Sequence, residues 1–126
     1  MVHASRVKVT VALTDPTQDE EEKETEINQL LWEIRELDEV EAVNRVVNPN
    51  PPEGSKALGG FLVGLLNAEV NMANTKKLFG FLGDRLGNKP LKLKVKAPDG
   101  RELEVEASSR QEFDYVMHQA QEFLNK

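Results

Sequence analysis

The chain has no cysteine among its 126 residues. That single absence excludes disulfide frameworks, thiolate zinc sites and cysteine nucleophiles, and it fits a reducing, cytoplasmic setting. Histidine is almost as scarce. Neither His3 nor His118 has a carboxylate or serine at a spacing that suggests a triad or a metal site, so both read as surface residues. Long apolar runs are missing too. The longest uncharged stretch, Ala57 to Ala68, has twelve residues, whereas a helix needs about 20 to cross a bilayer. The N-terminus, MVHASRVKVTVAL, alternates in polarity instead of joining a basic head to a continuous apolar run, and does not read as a secretory signal. There is no excess of positive charge. With 16 basic against 22 acidic residues and a net charge of -6, the surface is not one built to release counterions from nucleic acid. Nor do the glycines form a phosphate loop or a dinucleotide fingerprint, since Gly54-Ser55-Lys56 has the wrong order and follows prolines rather than a strand.

The length predicts one domain over residues 1–126, large enough to bury a core without metal or disulfide staples. Val7, Val9, Val11 and Leu13 alternate with Lys8, Thr10 and Ala12, the period of a strand with one wet face. Asp15-Pro16, with Thr17 and Glu20 as a capping box, signals a helix start. The acidic run Asp19 to Glu22 then lies where the helix dipole favours negative charge; its consecutive carboxylates fan around the helix and lack the convergence of a metal site. Ile27, Leu30, Leu31, Ile34 and Leu37 make the apolar face. Trp32 lies about 140° around from Ile27. It either lies flat under a loop or meets a partner, since exposed tryptophans concentrate binding energy. Ala42 to Val47 follows as a second strand, ended by the prolines near residue 50.

The stretch PPEGSKALGGFLVGLL, residues 51–66, raises a question of cost. Read as a helix capped by Ser55, it has Leu58, Phe61, Leu62, Leu65 and Leu66 on one stripe and Gly60 and Gly64 on the far side. Gly59, Gly60 and Gly64 would then cost about 3 kcal/mol of intrinsic helicity, which a close contact must offset. A second segment, KKLFGFLGDRLGNKP, repeats the pattern with Gly80 and Gly83, and stops at Gly87 as a left-handed cap before Pro90. Trp32, Gly59, Gly60, Gly64, Gly80 and Gly83 are therefore the candidate protein-interface residues.

In KLKVKAPDGRELEVE, Pro98-Asp99-Gly100 is a hairpin turn. Pairing position 96 with 102 sets Lys96, Lys94 and Lys92 against Glu102, Glu104 and Glu106 on one face, with Val95 against Leu103 and Leu93 against Val105 on the other. Ser109 and Glu112 announce a last helix. Its buried stripe is Phe113, Val116, Met117, Ala120 and Leu124, with Tyr115 and His118 turned away. The expected fold is a two-layer α+β sandwich of order β-α-β-α-α-β-β-α, with a four-stranded mixed sheet wet on one face and helices on the other.

The bend at Pro51, Pro52 and Gly54, the following Ala57-Leu58-Gly59 with its glycine-bearing apolar segment, LFGFLGDRLG, and the LKLKVKAPDGRELEVEASS hairpin come in an order that resembles the effector-associated constant components of prokaryotic conflict systems. The resemblance spans most of the chain, although Lys56-Ala57 stands where many members carry a methionine, and many members have a more basic second half. It implies a non-enzymatic adaptor or regulator, without catalytic residues or cofactor. Its partner would be an effector encoded nearby, such as a peptidase or a nucleotide-binding signalling protein. Two other readings are open from the residues alone. One is a small-ligand sensor with Asn44, Asn48 and Asn67 lining a pocket between helices and sheet. The other is a structural homo-oligomer without a separate effector.

Overall fold

The computed structural model describes residues 6–47 and 61–125. Strand β1 (Arg6–Leu13) leads to helix α1 (Glu20–Arg35), then β2 (Val40–Val47), β3 (Phe61–Asn71), α2 (Thr75–Leu86), β4 (Leu91–Lys96), β5 (Glu102–Ala107) and α3 (Arg110–Leu124). The class is α+β, and the sheet has five strands in the order β2-β3-β1-β4-β5, every neighbouring pair antiparallel. The expected four-stranded mixed sheet is corrected on both counts. β1 and β2 run parallel to each other with β3 between them, and β3 and β4 run parallel with β1 between them. These are two interleaved split β-α-β units, the ferredoxin-like arrangement, extended at one edge by β5 and α3.

The missing strand is the stretch read as a glycine helix. From Phe61 onward the chain is β3, with Leu66, Ala68 and Val70 buried and Leu65, Asn67 and Glu69 on the opposite side, the two-residue period of a strand. A continuous apolar run such as FLVGLL matches a buried strand as well as a helix face, so its periodicity does not decide between them. The sheet decides it. β3 is central: Leu65–Asn71 pair with β1, Phe61 and Leu66–Val70 pair with β2, and where the ladders stop the Arg45 and Glu24 side chains take Leu62 O, Leu65 O and the Gly64 N–H. Ser55, Leu58, Gly59 and Gly60 lie outside the described residues.

Other local readings shift by a few residues. The cap of α1 is Asp19, whose carboxylate accepts from the Glu22 N–H at 2.7 Å while the Glu22 carboxylate accepts from the Asp19 N–H at 2.9 Å. This is the expected capping box moved two residues along. Gly87 ends α2 with φ of -58°, so it is not a left-handed cap. Glycine is needed there for space, because a Cβ would come within 2.4 Å of the Gly83 carbonyl oxygen and 2.7 Å of Arg110 Cδ. The hairpin register is as read, from Lys92 opposite Glu106 to Lys96 opposite Glu102. Its ion pairs run diagonally instead of straight across, Lys92 to Glu104 and Lys94 to Glu102, each at 3.3 Å.

One face of every strand carries the core. Val7, Val9 and Val11 of β1, with Leu91, Leu93 and Val95 of β4, meet Ile27, Leu30 and Ile34 of α1, Leu78, Leu82 and Leu86 of α2, and Phe113, Val116 and Ala120 of α3 in one cluster. At about 1.5–3 kcal/mol for each large apolar side chain removed from water, this cluster supplies the dominant folding term. The other face of the sheet holds the lysine and glutamate ladders and has no helix over it among the described residues.

Candidate interaction surface

Of the residues singled out by the sequence, the described ones, Trp32, Gly64, Gly80 and Gly83, do not form one patch. Trp32 projects from the outer side of α1 and is 60% exposed, with the Arg35 guanidinium carbon 4.8 Å from its ring centroid. It is therefore not laid flat under a loop. Gly64 is buried in β3 with φ of +71°, a left-handed conformation that side chains resist. A Cβ there would touch Lys23 and the Leu13 carbonyl, so Gly64 belongs to the interior of the fold. Gly83 is also internal: its Cα faces the Phe113 ring, and a Cβ would lie 3.2 Å from that ring. Gly80 is exposed on the same helix, with no atom within 4 Å of the position a Cβ would take.

The two most buried carboxylates among the described residues carry no signal used above. Glu24 and Glu26 are each 7% exposed. Glu24 takes two bonds from the Arg45 guanidinium, at 2.5 and 2.8 Å, and one from the Gly64 N–H at 2.9 Å. Arg45 also donates to Leu62 O, Leu65 O and Asn28 Oδ1 at 2.9, 3.0 and 3.1 Å, so each of the five guanidinium N–H groups has an acceptor. This network holds α1, β2 and the start of β3 together where the β2–β3 register shifts between Arg45 and Val47. A signal for it existed. Glu24 is in heptad spacing with Leu31, which puts a carboxylate on the edge of the apolar stripe, where it needs a buried partner.

Glu26 accepts from the Lys89 ammonium and, at 3.0 Å, from the Gln18 amide, with Arg85 Nη1 3.7 Å away. Burial alone would raise its pKa. The hydrogen bonds from Lys89 and Gln18, with the charges of Lys89 and Arg85, outweigh burial and hold it below its ordinary value of 4.5. A depressed carboxylate contributes stability that is present above its unfolded pKa and is lost as pH falls through the folded one. Glu26→Gln should therefore lower the urea midpoint at neutral pH, and the gap to wild type should close as the solution is acidified below pH 4.5. A gap that stayed constant down to about pH 3 would show that the ion pair is not its source.

The uncovered sheet face has a shallow groove of about 490 Å³ between Ala12, Val46 and Leu65, rimmed by Lys92, Lys94 and Glu104. Asn67 lies in it, accepting from the Thr10 hydroxyl, and Asn44 is opposite Asn67 in the register. Both asparagines are thus on the open face and not between helices and sheet, where a ligand pocket would have needed them; Asn48 lies outside the described residues. Among the described residues no three His, Asp or Glu side chains are grouped to hold a metal ion, and no helix is long and apolar enough to cross a membrane. No family model, curated protein or solved structure matches the chain.

Proposed function

We propose that this protein is a non-enzymatic adaptor or regulator that binds an effector protein of a prokaryotic conflict system, encoded beside it, such as a peptidase or a nucleotide-binding signalling component. The sequence resemblance supports the class of partner. The observation that carries a docking role is Trp32: the only tryptophan of the chain stands 60% exposed on a helix whose opposite face is fully engaged in the core. A large aromatic side chain with a guanidinium stacked over it is the kind of anchor that dominates interface energies.

Mixing the purified chain with the products of neighbouring genes and measuring mass by light scattering tests the reading. A stable heteromeric peak is expected. Trp32→Ala should weaken that complex by at least about tenfold without loss of fold, since a hot-spot truncation costs about 2 kcal/mol or more. Because Trp32 is the single tryptophan, its emission should shift to shorter wavelength when the complex forms. A complex that left the emission unchanged would place the docking surface elsewhere, and a chain that ignored every neighbour would sink the adaptor reading.

A further inference from the structure

Gly80 is the one glycine of α2 that the fold does not explain. Gly83 makes room for Phe113 and Gly87 for Arg110, but a side chain at position 80 would meet nothing within 4 Å. Glycine is among the poorest helix formers, so an exposed one at mid-helix has a cost that no contact among the described residues repays. What surrounds it is specific. Lys76 and Asp84 lie four residues to either side, on the same ridge of the helix, and both are exposed. Asp84 approaches Arg110 only at 3.8 Å, with its side chain 85% exposed, and Lys76 makes no ion pair among the described residues. The three residues line a groove of about 390 Å³ between α2 and α3, together with Gly83, Met117 and His118.

This arrangement is self-complementary about a two-fold axis. In an antiparallel pair of helices that cross at position 80, residues whose numbers add to 160 face each other. Lys76 then faces Asp84 of the second copy, and Asp84 faces its Lys76. The same helix crossing itself in parallel would set lysine against lysine and aspartate against aspartate. We infer that α2 is a homodimerisation face, and that a second copy of this chain crosses it antiparallel at Gly80, with the two backbones in close approach and two reciprocal Lys76–Asp84 pairs. Interdigitation of the four-residue ridges is the commonest mode of helix packing, and a missing side chain at the crossing point lets the axes come near. Isologous contact of this kind closes on itself and does not build fibres. The face is only one helix long, about 18 Å for 12 residues. It is smaller than a standard interface, and the charges are at the surface, so the association should be weak and sensitive to salt.

Sedimentation equilibrium of the full chain over a range of concentrations, with no other protein present, tests the inference. The wild type should pass from monomer to dimer as concentration rises, and less readily in high salt. Gly80→Gln should weaken the dimer at least tenfold while remaining folded by circular dichroism, because glutamine favours helix and the site is open. Lys76→Asp should weaken it as well, and Lys76→Asp combined with Asp84→Lys should restore it. A wild type that stays monomeric at the highest concentration would overturn the inference. So would a dimer indifferent to Gly80→Gln, or a charge exchange that fails to restore what the single change removed. The inference stands apart from the adaptor reading. A monomer that captures an effector would sink the dimer and leave the adaptor, and a dimer that ignores every neighbour would do the reverse.

Discussion

Replacing Arg45 by alanine is expected to lower the unfolding free energy by about 3–5 kcal/mol, the range for removing one partner of a buried ion pair. The reason lies in what is left behind. Arg45 and Glu24 have side chains only 8% and 9% exposed, so the variant keeps a carboxylate with little access to water and, among the described residues, the Gly64 N–H as its one remaining donor. The carbonyls of Leu62 and Leu65 lose their guanidinium bonds as well. Urea denaturation with a slope unchanged from wild type would give the value directly. The companion experiment is Glu24→Met with Arg45→Met, which removes both charges. That pair should be less destabilised than Arg45→Ala, since an apolar replacement of a whole buried ion pair is often close to neutral. A loss below about 1 kcal/mol for Arg45→Ala would mean that water solvates the site, in which case the network does not hold the shifted part of the sheet.

The second large effect is expected where α2 meets α3. Phe113 is fully buried, and Phe113→Ala should cost about 3–5 kcal/mol through lost transfer free energy and the cavity left behind. Gly83→Leu should cost about 1–3 kcal/mol although leucine is the better helix former, because its Cβ would begin 3.2 Å from the ring. The informative result is the combination. With Phe113 truncated, a leucine at position 83 has space to enter, and its cost should shrink or reverse. A double-mutant cycle with no coupling between the two sites would show that the ring is not seated on Gly83.

Several elements could be read directly from the chain because their causes are local. Lysines and glutamates at alternate positions on either side of Pro98-Asp99-Gly100 set the hairpin register, since a slip of one residue would turn Leu103 and Val105 of β5 to the wet face. The stripe of Ile27, Leu30, Leu31 and Ile34 announced the buried side of α1, and all four are buried. Ser109 caps α3 through the Glu112 N–H, while the Glu112 carboxylate reaches the Ser108 N–H and hydroxyl, so even that capping signal was nearly complete.

What the sequence by itself determined is therefore the α+β class, the wet and dry sides of β1, β4 and β5, and the positions of the first and last helices. These follow from hydrophobic periods and caps within a few residues of one another. Only the tertiary structure decided the state of residues 61–66 and the meaning of the glycines. FLVGLL became the start of a strand because β2 pairs with Phe61 and Leu66, β1 pairs with Leu65 and Leu66, and the Arg45 and Glu24 side chains bond Leu62 O, Leu65 O and the Gly64 N–H between them. Gly64, Gly80, Gly83 and Gly87 look alike in the sequence. One takes a left-handed φ, two leave room for Phe113 and Arg110, and one opens onto solvent. The physical reason is the same in each case: a glycine records that a side chain is absent, and only the packed neighbours determine what occupies the space.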